Sequence, residues 1–477
     1  MKSKTGHEPE RHDPERTPIL GDSFDLIVIG GGTGGYSTAI RGASLGLKTA
    51  LVERAKVGGT CLHWGCIPTK ALLHAGEVLD TANEANDFGI KIGETGYDWD
   101  GVQSYKDKVV GKMYRGLNSL MKHRGIEIVE GTASFEKVGE IKVEGRTLRS
   151  ENIVIATGSV PKMLPGLELS DRVITSDQAL SVPVPGSAIV LGGGAIGCEF
   201  ASVWRSFGAE VTLVEMLPNL VPLEDADCGK ELARAFKKRG IEVHTGVKLE
   251  DITDTGDGVT ASLVGGEQRT SLSADVILIA VGRRPVTEGL SLDKIGLTPD
   301  ERGFVPVDEQ GRTGVEGTWA VGDVIDTPML AHVSFIEGMS VAERIAGQSP
   351  RPIDYDAIPR ATYSMPEVGA VGLTELQAKE AGYEVETHSV PMQAIGKATI
   401  LGSNIGFCKV VSEKGGRILG VHFVGARVTE LVAEAMLAVG WEARPDEVGQ
   451  LIHPHPSLSE IFGETALTIA GRALHAM

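Results

Sequence analysis

A strand, a glycine-rich turn, a helix and a second strand ending in glutamate occur twice in this chain, and few folds hold that pattern even once. The copies are "FDLIVIGGGTGGYSTAIRGASLGLKTALVE" (24–53) and "GSAIVLGGGAIGCEFASVWRSFGAEVTLVE" (186–215). The first sets Gly30, Gly32 and Gly35 ahead of Glu53; the second sets Gly192, Gly194 and Gly197 ahead of Glu215. From first glycine to glutamate is 23 positions in each. In such a unit the first glycine makes the tight turn, the second admits a pyrophosphate and the third lets helix pack on strand. The helix start offers unpaired N–H groups and the positive end of its dipole, and the glutamate accepts from a ribose hydroxyl. Two dinucleotides are expected. Glu215 would repel a 2′-phosphate and the following "MLP" holds no arginine, so the second site reads as NAD. Glu53 marks the first as an adenosine site without naming its ligand.

Further strand-plus-glycine stretches are "NIVIATGSVP" (152–161), "DVILIAVGRRP" (275–285) and "TWAVGDV" (318–324). The outer two flank the second repeat, so a second nucleotide unit inserted in the first is expected. From about 358, alternating strand patterns and the helix-like "VTELVAEAMLAV" (428–439) indicate a separate C-terminal α+β domain. The expected fold is α/β, with two Rossmann-like domains, the second inserted in the first, and that C-terminal domain. The boundaries are a disordered tail at 1–22, a first dinucleotide-binding domain at 23–165, a second at 166–288, a stretch that completes the first at 289–357 and the C-terminal domain at 358–477. The N-terminus has no apolar core of a secretory signal, and no apolar run reaches the roughly 18 residues of a membrane span. A net charge of −18 repels phosphate backbones and anionic lipid, which disfavours nucleic acid and membrane surfaces. A cytoplasmic location is expected.

Against that background, "GGTCLHWGCIPTK" (58–70) places Cys61 and Cys66 close together in a chain with 5 cysteines. In a regular helix their Cα atoms would lie about 8.6 Å apart, beyond the roughly 7 Å limit of a disulfide. The pair closes only if the segment bends, and Gly65 supplies the freedom. The stretch after it reads as a helix, with Pro68 tolerated in its first turn, and a helix start stabilises a nearby thiolate. A strained short-loop disulfide there suits a redox centre better than a staple. Zinc on Cys61, His63 and Cys66 lacks a fourth ligand. Cys198, Cys228 and Cys408 read as small apolar residues. Two dinucleotides and a redox dithiol imply a relay, because a flavin couples hydride transfer to thiol chemistry. FAD is therefore expected in the first site.

These motifs, with "ATGS", "AVGRRP", "AVGDV", "MLAH" and "HPHPSLSE", resemble the pyridine nucleotide–disulfide oxidoreductases, most closely the members that oxidise dihydrolipoamide with NAD+. The resemblance runs from about residue 23 to the end. It implies a homodimer serving lipoyl-bearing proteins of 2-oxo acid dehydrogenase complexes. It also implies that Cys61 exchanges with the substrate dithiol while Cys66 lies against the flavin. Lys70 would sit by the flavin and pair with Glu199, and Asp323 would bond the ribityl chain. Gly131, Thr157, Gly158, Ser159 and the stretch Met329, Leu330, Ala331, His332 would line the FAD site; Val247 and Gly282 would border NAD. His455 would be the general base, oriented by Glu460, while His453 reads as structural. His63 and Trp64 stand where this family usually carries Asn and a small aliphatic residue. A glutathione-type reductase would carry arginines near residue 216. A mycothiol-disulfide reductase and a non-enzymatic redox sensor stay open on the sequence.

Overall fold

Apolar runs too short for helices and bounded by glycine become the buried strands of two parallel sheets. The computed structural model describes residues 22–266 and 268–475; the expected disordered tail, apart from Asp22, lies outside them. In chain order the first unit contains β1 (Leu26–Ile29), α1 (Thr33–Ser44), β2 (Thr49–Glu53), α2 (Gly59–His63), α3 (Cys66–Asn83), α4 (Trp99–His123), β3 (Glu127–Glu130) and β4 (Ile153–Ile155). The second contains β5 (Val173–Thr175), β6 (Ser187–Leu191), α5 (Ala195–Ser206), β7 (Glu210–Glu215), α6 (Ala226–Lys238), β8 (Ile241–Thr245) and β9 (Val276–Ile279). The chain then returns with β10 (Thr318–Ala320), which pairs with β4, and α7 (Ala331–Ile345).

The two sheets share one plan. The first runs β10-β4-β1-β2-β3 and the second β5-β9-β6-β7-β8, every pairing parallel, with the fingerprint strand central in each. Because β10 follows the second sheet in sequence yet completes the first, the second unit is an insertion. C-terminally, β11 (Arg360–Thr362), β12 (Glu367–Gly372), β13 (Val385–Pro391), β14 (Phe407–Glu413) and β15 (Ile418–Gly425) form an antiparallel sheet ordered β11-β12-β15-β14-β13. Helices α8 (Val428–Gly440) and α9 (Glu460–Ile469) share its apolar core. Among the described residues no helix is long and apolar enough to cross a membrane.

The third glycine of each fingerprint is a contact. A Cβ on Gly35 would lie 1.8 Å from the Gly30 carbonyl oxygen, and one on Gly197 1.9 Å from that of Gly192. A Cβ on Gly32 or Gly194 would meet nothing within 4 Å. The outer glycines therefore serve the fold and the middle ones leave space open. Gly35→Ala or Gly197→Ala should cost about 3 kcal/mol of stability, read as a lowered thermal midpoint. Gly32→Ala should fold with an unshifted secondary-structure spectrum yet lose flavin absorbance, because only the cofactor's approach is obstructed.

Candidate active site

The bend that the cysteine spacing requires is present. Helix α2 stops at His63, Trp64 and Gly65 leave helical geometry (Gly65 φ −151°, ψ −110°), and α3 restarts at Cys66. Both residues are free thiols, and Cys61 donates to Cys66. That hydrogen bond pulls the Cys66 thiol down to about 7; burial opposes it, and the Lys70 ammonium assists. The same shared proton, and then burial, hold Cys61 well above its ordinary range. Cys66 is thus the member that carries the thiolate, at a helix start.

One turn along α3, Lys70 Nζ donates to both Glu199 oxygens at 2.8 and 2.7 Å. Glu199 sits on α5, 3 % exposed, and also accepts the Tyr363 N–H at 3.0 Å. The Lys70 ammonium lies 4.8 Å from the Tyr363 ring centre. Burial alone would lower Lys70, but Glu199 outweighs it and the ammonium is held above its ordinary value. Dithiol, second fingerprint helix and C-terminal segment therefore meet at one point.

That point opens on a cavity of about 810 Å³. The residues expected at the first site follow the carboxyl ends of the five strands of its sheet, where ligands bind in open parallel sheets. Gly30 follows β1, Glu53 ends β2, Gly131 follows β3, Thr157, Gly158 and Ser159 follow β4, and Asp323 follows β10; all of them line the cavity. Met329, Leu330, Ala331 and His332 close another wall, because α7 lies so tightly on α1 that a Cβ on Gly338 would come 2.4 Å from the Gly34 carbonyl oxygen. Ser159 Oγ donates to Asp323 Oδ2 at 2.6 Å, and Arg283 Nε donates to Ser159 Oγ at 2.7 Å. Glu337 accepts from the Gly322 N–H at 2.7 Å and the Tyr355 hydroxyl at 2.9 Å, fixing the turn that carries Asp323.

Each fingerprint glutamate makes the same two bonds. Glu53 accepts from the N–H of Gly31 (2.6 Å) and Ala55 (2.7 Å), and Glu215 from those of Gly193 (2.6 Å) and Leu217 (2.7 Å). A carboxylate has about four lone-pair sites, so each keeps capacity for ribose hydroxyls. Val247 donates its N–H to the Glu215 carbonyl oxygen at 3.3 Å. Gly282, at φ +111°, lies just beyond the end of β9 with nothing within 4 Å of a Cβ. Both stand at the carboxyl edge of the second sheet. Open glycine, free helix start and a carboxylate with spare acceptors fit an adenine dinucleotide at each edge.

His455 and Glu460 are brought to each other but not to the cysteines. His455 Nδ1 lies 2.8 Å from Glu460 Oε1, and Ser457 N–H donates to Glu460 Oε2 at 2.8 Å. Burial pushes the Glu460 carboxyl up, but these two donors prevail and it lies below its ordinary value. The His455 side chain is 73 % exposed and is not on the cavity wall. His453 bonds Glu434 at 2.7 Å within the domain. His63 Nε2–H donates to the Val57 carbonyl at 2.9 Å and its ring meets those of Trp64 and Tyr114; Trp64 lines the cavity. Sequence reading missed Arg283, Glu337 and Tyr363. Only Arg283, inside "AVGRRP", stood in a recognised motif.

Residues 24–338 match the family described as pyridine nucleotide-disulphide oxidoreductase, and residues 358–466 match its dimerisation domain. The chain belongs to this family. Pyridine nucleotide-disulphide oxidoreductases work with FAD and NAD(H). The chain is 42 % identical over 474 residues to the dihydrolipoyl dehydrogenase of Bacillus subtilis, covering 96 % of this chain and 100 % of that one. It is 42 % identical over 459 residues to that of Thermus scotoductus, at 95 % and 99 % coverage. Among solved structures, the HOCl-induced flavoprotein disulfide reductase RclA of Escherichia coli is 27 % identical, with a TM-score of 0.82 over 93 % of this chain and 99 % of that one. LpdA of Mycobacterium tuberculosis, 24 % identical with a TM-score of 0.85 over 93 % and 99 %, shares the fold.

In a disulphide oxidoreductase with this dithiol, thiolate absorbance of the reduced protein should rise with pH through a midpoint near 7. A lowered thiol is ionised above that midpoint and protonated below it. Lys70→Met should move the midpoint up by roughly one unit or more; a midpoint at the free-thiol value in both proteins would remove the ammonium from the account.

Proposed function

We propose that this chain is a dihydrolipoyl dehydrogenase, converting dihydrolipoamide and NAD+ to lipoamide, NADH and a proton. The observation that carries this reading is the asymmetric dithiol at the α2–α3 bend, opening on a cavity shared by both fingerprints. A substrate thiolate attacks Cys61 Sγ, the Cys61–Cys66 bond breaks and Cys66 leaves as the thiolate. Its low affinity for protons makes it the better leaving group, and the Lys70 ammonium stabilises its charge. The second substrate sulfur then attacks the first, releasing cyclic lipoamide and Cys61. Gly30, Glu53, Ser159 and Asp323 would hold FAD, which would supply the two-electron coupling between the Cys61–Cys66 dithiol and NAD+ by which the disulfide is re-formed. Lys70 and Glu199 hold the dithiol helix against the second unit, and Glu215 favours NAD over NADP.

Dihydrolipoamide arrives mostly as thiol, so a base must take its proton. His455, oriented by Glu460, suits that task. The exposed histidine and the match to a dimerisation domain support a homodimer in which a second copy supplies the base. The physiological substrates are lipoyl-bearing proteins of 2-oxo acid dehydrogenase complexes, and the enzyme works in the cytoplasm. The discriminating experiment compares NADH-dependent rates with lipoamide, glutathione disulfide and mycothiol disulfide. Lipoamide should be faster than both by at least about 100-fold in kcat/KM, some 2.7 kcal/mol in transition-state binding; a faster rate with either alternative replaces this assignment.

Assembly has its own test. Cys66→Ser chains and His455→Gln chains, each inactive alone, should regain activity when unfolded together and refolded, up to about half of the unsubstituted rate per heterodimer, because one site is then intact. Heterodimers without activity would mean that the base acts within one chain.

A further inference from the structure

Five carboxylates line the cavity, and four are answered. Glu199 is paired with Lys70. Asp323 takes the Ser159 hydroxyl, with Arg283 4.0 Å away. Glu288 takes Arg284 at 3.1 Å, and Glu53 takes two backbone N–H groups. Asp177 is different. It is partly buried on the same wall; among the described residues its carboxylate accepts one hydrogen bond, from the Ser176 hydroxyl at 3.4 Å, and no Lys, Arg or His nitrogen stands within 4 Å. Burial pushes its carboxyl up, and the more distant Arg283 opposes this; the Nε and Nη2 groups of that arginine are already spent on Ser159.

The position of Asp177 is built rather than incidental. It lies in the first turn of the short helix Ser176–Ala179, whose start is fixed by reciprocal bonds between Thr175 and Gln178. It shares the cavity wall with Ala195, Ile196 and Glu199 from the first turns of α5. Ala195 and Ile196 belong to the second fingerprint turn, so this wall joins the second unit to the cavity of the first. The nicotinamide ring is a cation in NAD+ and neutral in NADH. In a half-buried site a carboxylate with no cation of its own attracts the first and is indifferent to the second.

We infer that Asp177 sets the redox-state preference of the nicotinamide pocket, favouring NAD+ over NADH by supplying the counter-charge of the oxidised ring. The inference rests on the reading of the second fingerprint as an NAD site. It does not depend on which dithiol is the substrate. The carboxylate thereby draws in the electron acceptor and eases departure of the neutral product, the direction that dithiol oxidation requires.

The test is equilibrium binding to the oxidised, FAD-loaded protein, with NAD+ and its neutral, non-transferring analogue tetrahydro-NAD titrated against protein fluorescence. Asp177→Asn should weaken NAD+ by about five-fold or more while changing the analogue by less than about two-fold. Asp177→Glu, which keeps the charge, should preserve the unsubstituted ratio. If Asp177→Asn loses FAD, Asp177→Ser takes its place in the same titration. Equal weakening of both ligands, or of neither, would overturn the inference and leave the NAD assignment intact. If neither ligand bound the unsubstituted protein, the NAD assignment itself would fall and the inference with it.

Discussion

The Lys70–Glu199 ion pair is the interaction on which the site depends. Glu199 is almost fully buried, and a carboxylate in that position is tolerated only with its charge answered. Lys70 answers it from the dithiol helix, and the Tyr363 N–H from the C-terminal domain fills a further acceptor site. Breaking a fully buried pair costs about 3–5 kcal/mol; here the figure is smaller, since the Lys70 side chain is 32 % exposed. The pair does more than stabilise. It fixes three regions distant in sequence at the edge of the cavity and holds an ammonium where Cys66 becomes a thiolate.

Around that anchor the molecule solves one problem twice. Both fingerprints close a helix onto a strand by removing a side chain at the third glycine, and both tether the following strand through a glutamate that takes two backbone N–H groups. The copies differ in what surrounds them. The first opens on a deep cavity walled by α7 and the dithiol, which suits a tightly held cofactor. The second stands at the edge of its sheet, which suits a ligand that comes and goes.

The dithiol shows how local geometry becomes chemical asymmetry. Two cysteines in one bent segment would be equivalent if only spacing mattered. Placing one at a helix start, one turn from an ammonium and accepting the other's hydrogen bond, separates them into a member that carries the thiolate and one that keeps its proton. His455 and Glu460 bond each other with the imidazole exposed and off the cavity wall, so nothing in one copy brings that histidine to the dithiol.

The sequence by itself determined the two dinucleotide units, the insertion of the second in the first, the C-terminal α+β domain and the bend at Gly65. Each is a local pattern: strand, glycine spacing and helix lie within about thirty residues, and backbone sterics leave glycine few substitutes there. The positions lining the first site came from the family resemblance rather than from any local pattern, and the structure gathers them after the carboxyl ends of the parallel strands. Only the tertiary structure decided which charges meet. That Glu199 would take Tyr363 and that Arg283 would be spent on Ser159 depend on contacts between segments more than a hundred residues apart, and that Asp177 would be left without a cation within 4 Å among the described residues depends on which side chains share its cavity wall. No local pattern encodes those pairings, because electrostatic interaction follows distance through space and burial, and neither is a property of spacing along the chain.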